Sequence, residues 1–275
     1  LRADRAFREI RRKGRDMKLR ENSFLTAIRA GQKQLGLWVS LSNGYAAEVV
    51  AHAGYDWVML DMEHAPSDMA SVLGQLQAFS GSETTAMVRP DWNDAVKVKR
   101  LMDLGAPGLL FPMVQTPDEA RAAVAACRYP PRGIRGVAGL NRANQFGRVA
   151  DYNAEVENQT AILIQLETRA AVENAAAFAE VEGIDGIFFG PADIAADMAH
   201  LGQTLHPEVW EVIRPAAKLL MDKGIPVGTL VTDPDFAAQL LNEGFTFVAC
   251  GTDVGLLAQG ADALRAKVRD KISET

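Results

Sequence analysis

Two cysteines, Cys127 and Cys250, are all that the 275 residues contain, and neither stands in a CxxC or other metal-binding spacing. A disulfide framework is therefore excluded, and two inert thiols in a reducing compartment are expected. Aromatic residues supply only 7% of the chain. No apolar run approaches the ~20 residues that span a bilayer, and none has the build of a secretory signal. The motifs GxGxxG, GxxxxGKS/T and GxSxG are all missing. That removes the Gly-rich phosphate cradles and the hydrolase nucleophile elbow.

What is present is ordinary globular material, with 48% hydrophobic and 23% charged residues and a net charge of −6. Disorder needs lower hydrophobicity and more net charge. Charge is uneven along the chain. Residues 1–20 hold nine Lys/Arg against three acids, a local +6 that leaves −12 for the rest. So acidic a body argues against nucleic acid as a partner, and no membrane partner is indicated. The chain opens on Leu1, and Met17 begins a stretch of ordinary character. Residues 1–16 read as a non-native or upstream basic extension, disordered or helical, and 17–275 as one barrel domain.

Eight short apolar runs recur from Gly36 onward, at 37–40, 58–61, 85–89, 109–112, 162–167, 186–190, 227–231 and 247–251. They show little polar alternation, as expected of parallel strands covered on both faces. Helical patterns lie between them. Met69, Val72, Leu73, Leu76 and Phe79 form one apolar stripe, and Leu257, Ala261, Leu264 and Val268 form another, each suited to facing a sheet. Gly54, Gly105, Gly183, Gly224 and Gly244 stand where helices should end. The expected fold is an α/β (β/α)8 TIM barrel, with a doubly wound open sheet as the alternative. The one long irregular stretch is 129–152.

In such a barrel the chemistry sits at the C-terminal ends of the strands. Four ends carry polar groups: Asp61-Met62-Glu63-His64, Arg89-Pro90, Gln165-Leu166-Glu167 and Gly190-Pro191-Ala192-Asp193. Unpaired, such groups cost several kcal/mol to bury, on the order of 2–7 each, so a convergent set points to a site rather than to packing. Glu167 and Asp193 suit a hard cation such as Mg²⁺ or Mn²⁺; helix capping is the plain alternative for Asp193. Arg89 suits a carboxylate or a developing oxyanion, and a salt bridge at the barrel mouth is its bland reading. His64 suits acid–base work, although a lone histidine after a strand is more often structural. His52, His200 and His206 draw less interest, the first in a helix and the others in a Gly/Pro-punctuated loop. Arg132, Arg135, Arg142 and Arg148 could meet an anionic substrate tail, or belong to a solvated loop or subunit contact. No lysine at a strand end offers a Schiff base.

These segments resemble the class II pyruvate aldolases of the 4-hydroxy-2-oxoheptanedioate and 2-dehydro-3-deoxyglucarate aldolase family. The matching pieces include Gly36-Leu37-Trp38, Asp61-Met62-Glu63-His64-Ala65-Pro66, Val88-Arg89-Pro90, Gly133-Ile134-Arg135-Gly136, Gln165-Leu166-Glu167, Gly190-Pro191-Ala192-Asp193 and His206-Pro207-Glu208, in family order across 30–268. The resemblance implies a barrel of the phosphoenolpyruvate/pyruvate superfamily type in a homohexamer, a trimer of dimers, with the C-terminal helix exchanged between subunits. It implies a cytoplasmic lyase, dependent on Mg²⁺ or Mn²⁺ with Co²⁺ also suitable. The reaction would cleave 4-hydroxy-2-oxo acids reversibly to pyruvate and an aldehyde through a metal-stabilised enolate. By motif, Glu167 and Asp193 would bind the metal, and Gln165, Ala192 and Asp193 the pyruvate. Trp38, Phe188 and Leu230 would line the substrate. Arg89 would stabilise the enolate, and His64 would be the acid–base group, backed by Asp103, while Asp61 would orient metal waters or His64. Asp103, however, should end a helix at the opposite barrel face, so it is expected to serve a neighbour's His64. Met62, Cys250 and the stretch 138–148 depart from the family pattern. That stretch is expected to approach the aldehyde end of the substrate. Competing readings are a citryl- or malyl-CoA-type lyase, a decarboxylase or synthase using the same enolate, and a non-catalytic 2-oxo acid binder.

Overall fold

A computed structural model describes residues 17–272, so the expectation for residues 1–16 lies outside the described residues. Eight parallel strands close into a barrel in sequence order. They are β1 (Gln34–Val39), β2 (Trp57–Asp61), β3 (Thr85–Arg89), β4 (Gly108–Phe111), β5 (Ala161–Leu166), β6 (Gly186–Phe189), β7 (Val227–Leu230) and β8 (Phe247–Thr252). All eight apolar runs are strands, within a few residues at each end. The open-sheet alternative is excluded by the β1–β8 pairing that closes the ring. No described helix is long and apolar enough to cross a membrane.

The helices are α1 (Ser23–Arg29), α2 (Gly44–Ala51), α3 (Met69–Ala78), α4 (Ala95–Leu104), α5 (Pro117–Cys127), α6 (Tyr152–Glu155), α7 (Arg169–Glu173), α8 (Ala175–Phe178), α9 (Pro191–Asp197), α10 (Pro207–Asp222), α11 (Pro234–Glu243) and α12 (Asp253–Arg269). Their starts follow local chemistry. Asp68, Thr116 and Asp233 accept N–H bonds from the first turns of α3, α5 and α11. Gly105 and Gly244 end α4 and α11 in the left-handed region, at φ 86° and 110°.

Strand side chains alternate between two cores, which explains the unbroken apolar runs. Outward residues such as Val58, Leu60 and Val88 pack under the helices with Val72, Leu76 and Phe79. Inward residues Trp38, Trp57, Met59, Met87, Leu163, Phe188 and Phe247 fill the barrel, and Phe24, Leu25 and Ile28 of α1 join them as a plug beneath the strands. Phe24 meets the Trp57 and Phe247 rings at 5.6 Å each. Such large rings fit only because some neighbouring positions are glycine. A Cβ on Gly228 would lie inside the van der Waals envelope of the Phe247 ring and its carbonyl oxygen.

Two expectations are corrected here. The stripe Leu257, Leu264, Val268 faces no sheet of its own chain: these side chains are 61%, 66% and 51% exposed, and Asp253 is the one buried residue of α12. The helix leaves the barrel after its first turn, so its apolar side has nothing beneath it among the described residues. The segment 132–148 joins α5 to β5, and so runs across the N-terminal face, away from this barrel's strand ends. Its arginines are committed there. Arg142 donates to the Leu104 and Leu76 carbonyls at 2.6 and 3.2 Å. Arg132 pairs with Glu157, Arg148 bonds to the Gln145 carbonyl, and Arg135 is buried against Asp103.

Gly228→Ala should lower stability by about 1–3 kcal/mol or more in urea unfolding, because neither the ring nor the backbone oxygen can yield cheaply. Gly74→Ala, at a helical glycine with open space around it, should be neutral or raise stability by about 0.5–1 kcal/mol.

Candidate active site

Period two and parallel register assemble the site. Asp61 is inward at the end of β2, in register with Arg89 at the end of β3. Gln165 is inward near the end of β5, level with Phe188 on β6, and Glu167 lies two residues on. Asp61 and Arg89 form a fork-to-fork pair, Nε to Oδ1 at 2.9 Å and Nη2 to Oδ2 at 2.7 Å. The third guanidinium nitrogen, Nη1, lies 2.8 Å from Glu63 Oε2. Trp38 supplies the wall: its ring centroid is 5.0 Å from the guanidinium, and its indole N–H donates to Asp61 at 3.3 Å. Asp61 also accepts the backbone N–H of Glu63 and, more weakly, of His64 at 3.4 Å, which folds the chain back over the strand end.

Glu167 is the deepest carboxylate, 1% exposed. Its Oε2 accepts the Met113 N–H at 2.6 Å, and its Oε1 accepts from Gln165 Nε2 at 2.7 Å. Met113 presents that N–H from a positive φ of 51°. A Cβ on Gly190 would fall 2.8 Å from Glu167 Cγ and Oε1, so the carboxylate occupies the space a side chain would take. Gln165 Oε1 is buried with no partner among the described residues.

The electrostatics are unbalanced. Burial raises the Glu167 carboxyl to about 8; the Met113 N–H opposes this, and the Glu63 and Asp193 charges add to it. Burial likewise raises Glu63, against the pull of Arg89 and His64. Asp61 goes the other way: burial would raise it, but the Arg89 hydrogen bonds and charge hold it below the ordinary carboxylate range. Four carboxylates thus share one guanidinium, and the carboxylates of Glu63, Glu167 and Asp193 feel one another. An all-oxygen donor set with excess negative charge and an orphaned amide oxygen fits a hard divalent cation. Glu167 and Asp193 are the residues that would hold it.

The remaining expected residues are placed as follows. Asp193 lies in the first turn of α9, whose N-cap is Gly190 without a side-chain bond, so Asp193 does not serve as the cap. Ala192 is exposed at the same turn. Phe188 and Trp38 belong to the barrel filling, their rings 5.5 Å apart, with Leu230 packed alongside; they form the floor of the site. His64 is at the mouth, its side chain 64% exposed and 3.7 Å from Glu63. Asp103, on the last turn of α4, lies at the other face, where Arg135 Nη2 and Asn141 Nδ2 donate to its Oδ1 at 2.8 and 3.1 Å. Two contributors were not assigned from sequence. Glu63 stood in the strand-end run but was given no role, although its place two residues after Asp61 was a signal. Met113 acts through its backbone, for which the sequence offers no sign. A cavity of about 620 Å³ lies at the opposite face among Phe79, Met102, Arg142 and Tyr152, away from these residues.

A (β/α)8 barrel with carboxylates and a clamped arginine at its strand ends defines a barrel enzyme for small anionic substrates. The chain belongs to the HpcH/HpaI aldolase/citrate lyase family, which matches residues 34–260. A pyruvate aldolase of Rhizobium etli is 49% identical over 251 residues, covering 91% of this chain and 99% of that protein. A 4-hydroxy-2-oxo-heptane-1,7-dioate aldolase of Escherichia coli is 47% identical over 248 residues, covering 90% and 95%. Among solved structures, an HpcH/HpaI aldolase/citrate lyase family protein from Burkholderia cenocepacia J2315 superposes with a TM-score of 0.87 at 37% identity, covering 90% of this chain and 99% of that one.

With divalent ions removed by EDTA, the folded protein should hold a proton on Glu167 that the unfolded chain has already released at neutral pH. Stability should therefore fall as pH rises from about 4.5 to about 8, by at most about 1.4 kcal/mol per pH unit. Urea unfolding across that window should show this slope, and Glu167→Gln should flatten it.

Proposed function

We propose that this protein catalyses reversible aldol cleavage of 4-hydroxy-2-oxo acids to pyruvate and an aldehyde. The carrying observation is the clamped Arg89 together with the buried Glu167, held by the Met113 N–H and the Gln165 amide, at the strand ends. The aldolase names of relatives at 47–49% identity support the same chemistry. They favour it over a citryl- or malyl-CoA-type lyase.

Each residue has a task in this reading. Asp61 takes two of the five guanidinium N–H groups of Arg89, one on Nε and one on Nη2, and Glu63 lies at ion-pair distance from Nη1, so N–H groups on Nη1 and Nη2 stay available to the substrate. Those two would hold the 2-oxo acid and stabilise charge as it develops on the ketone oxygen when the C3–C4 bond breaks. Gln165 and the α9 turn at Ala192 and Asp193 would orient the pyruvate portion. Trp38, Phe188 and Leu230 would exclude water below it. Family aldolases are generally divalent-metal dependent; an ion such as Mg²⁺, Mn²⁺ or Co²⁺ between Glu167 and Asp193 would supply Lewis-acid chemistry at the 2-oxo group. His64, exposed at the mouth, is placed to exchange the proton of the 4-hydroxyl.

Asp103 can support His64 only across a subunit boundary, since the two lie at opposite barrel faces. The uncovered apolar side of α12 supports assembly, and we assign the active form to a homohexamer, a trimer of dimers, with α12 exchanged between copies. A cytoplasmic setting suits the two free thiols, Cys127 and Cys250.

Pyruvate in D₂O should lose its methyl proton signal only with protein and added Mg²⁺, Mn²⁺ or Co²⁺. Glu167→Gln should abolish the exchange, and Arg89→Met should slow it by about 10²-fold or more. Exchange that persists undiminished in Glu167→Gln would overturn this reading. The shared site has its own test. His64→Ala and Asp103→Ala proteins should each be impaired in aldol cleavage, and co-refolded mixtures should regain part of the activity. Mixtures no better than their parents would confine each site to one chain.

A further inference from the structure

On the rim of the catalytic face, the loop after α9 brings His200 beside His206 and Glu208, where α10 begins. The imidazole rings stack with centroids 3.7 Å apart and planes 15° from parallel. His200 Nε2 is 3.0 Å from Glu208 Oε2. One ligand atom from each residue falls within 4.8 Å of the others, and both histidines are half-buried. We infer that His200, His206 and Glu208 form a second metal site, of two nitrogens and one oxygen, that takes Zn²⁺. It is distinct from the all-oxygen site at Glu167 and Asp193, and independent of the aldolase reading.

The chemistry of the donors sets the choice of ion. A neutral imidazole offers one ring nitrogen lone pair to a metal. Neutral imidazole with a carboxylate suits Zn²⁺ and is poor for Mg²⁺, which prefers oxygen and water. Tetrahedral Zn²⁺, with bonds of about 2.0–2.2 Å, needs ligand atoms about 3.4 Å apart. A rotation of the imidazoles about their Cβ–Cγ bonds, with a shift of the exposed Glu208 carboxylate, draws the three atoms together and leaves a fourth position for water. One existing bond would be exchanged. His206 Nδ1 now accepts the Glu208 N–H at a long 3.3 Å, so ligation through Nε2 would move a proton onto Nδ1 and release that cap. Arg169, whose charge reaches Glu208, is engaged by Glu173.

The site would also bear on the catalytic face. The His200 N–H donates to the Ala195 carbonyl of α9 at 2.7 Å, and Asp197 of the same helix accepts the Arg169 N–H at 2.8 Å. A metal at His200 would tie the end of the helix that carries Asp193 to the start of α10.

The test uses the full chain with Glu167→Gln, which disables the carboxylate site, in excess Mg²⁺, with Zn²⁺ followed by equilibrium dialysis and thermal unfolding. One Zn²⁺ per chain at micromolar free concentration, with a raised Tm, is expected. Adding His200→Ala or His206→Asn should remove both effects; asparagine keeps a helix cap at 206. Co²⁺ in place of Zn²⁺ should give visible absorption bands of a low-coordinate nitrogen site in the first protein and not in the histidine variants. No saturable Zn²⁺ at that concentration, or Zn²⁺ retained with both histidines replaced, would overturn the inference. Neither result touches pyruvate exchange, so the two readings fail separately.

Discussion

A guanidinium buried at the top of the barrel constrains everything around it. The Arg89 side chain is 7% exposed and the Asp61 side chain 3%. Removing one partner of such a pair typically costs about 3–5 kcal/mol, because the other charge is left stranded. The fork-to-fork geometry needs two inward positions in register on adjacent strands, and β2 and β3 provide it at their last residues. Once that pair is fixed, the chain after Asp61 must fold back to give its Glu63 N–H to the same carboxylate. That turn brings the Glu63 side chain onto the third guanidinium nitrogen and sends His64 outward. A single ion pair therefore orients the cation, one of its counter-charges and the exposed imidazole.

The charge balance follows from this. Arg89 is spent largely on Asp61 and Glu63, so among the described residues no further cation balances Glu167 and Asp193. Their mutual repulsion and the burial of Glu167 are tolerable only with a proton or a positive ion present. Gly190 keeps the space beside Glu167 clear of side chain, and the Met113 N–H and Gln165 amide hold the carboxylate in one orientation. Two N–H donors fix its direction without neutralising it. That arrangement preorganises a ligand, and it explains why a site so unfavourable alone can sit on a stable scaffold.

The sequence reveals the barrel because both strand faces are buried, which leaves eight apolar runs that no other fold class accommodates as simply. It reveals Asp61, Arg89, Gln165 and Glu167 because polar residues interrupt those runs at their C-terminal ends. Glu63 and Met113 are harder to see, since one acts from beyond the strand and the other through a backbone N–H. Of the two readings open for the arginines of 132–148, the structure favours the one that places them outside this barrel's mouth, for a physical reason. Composition shows a cluster of positive charge, but the segment follows a helix and precedes a strand, so it must lie on the face away from the site. There its guanidinium groups satisfy helix C-terminal carbonyls and buried acids. The α12 stripe misled: its 3.6-residue period records that something apolar covers it, without saying which chain supplies the cover.

The segment 132–148 also fixes Asp103 at the N-terminal face. Arg135 is fully buried, stacked on Tyr129 at 4.6 Å, within 3.2 Å of the Tyr152 hydroxyl, and paired with Asp103. Arg135 and Asn141 both bind Oδ1 of Asp103, which leaves Oδ2 uncommitted to either and the side chain 24% exposed. A merely structural pair would bury both oxygens against the guanidinium, as Asp61 and Arg89 do at the other face. Ile134, Val137, Leu140 and Phe146 of the same segment are exposed. Exposed apolar side chains and a fixed, partly free acid are what a subunit contact needs if it is to carry a charge into a neighbour's site. That combination fits the proposed role of Asp103 at a neighbour's site.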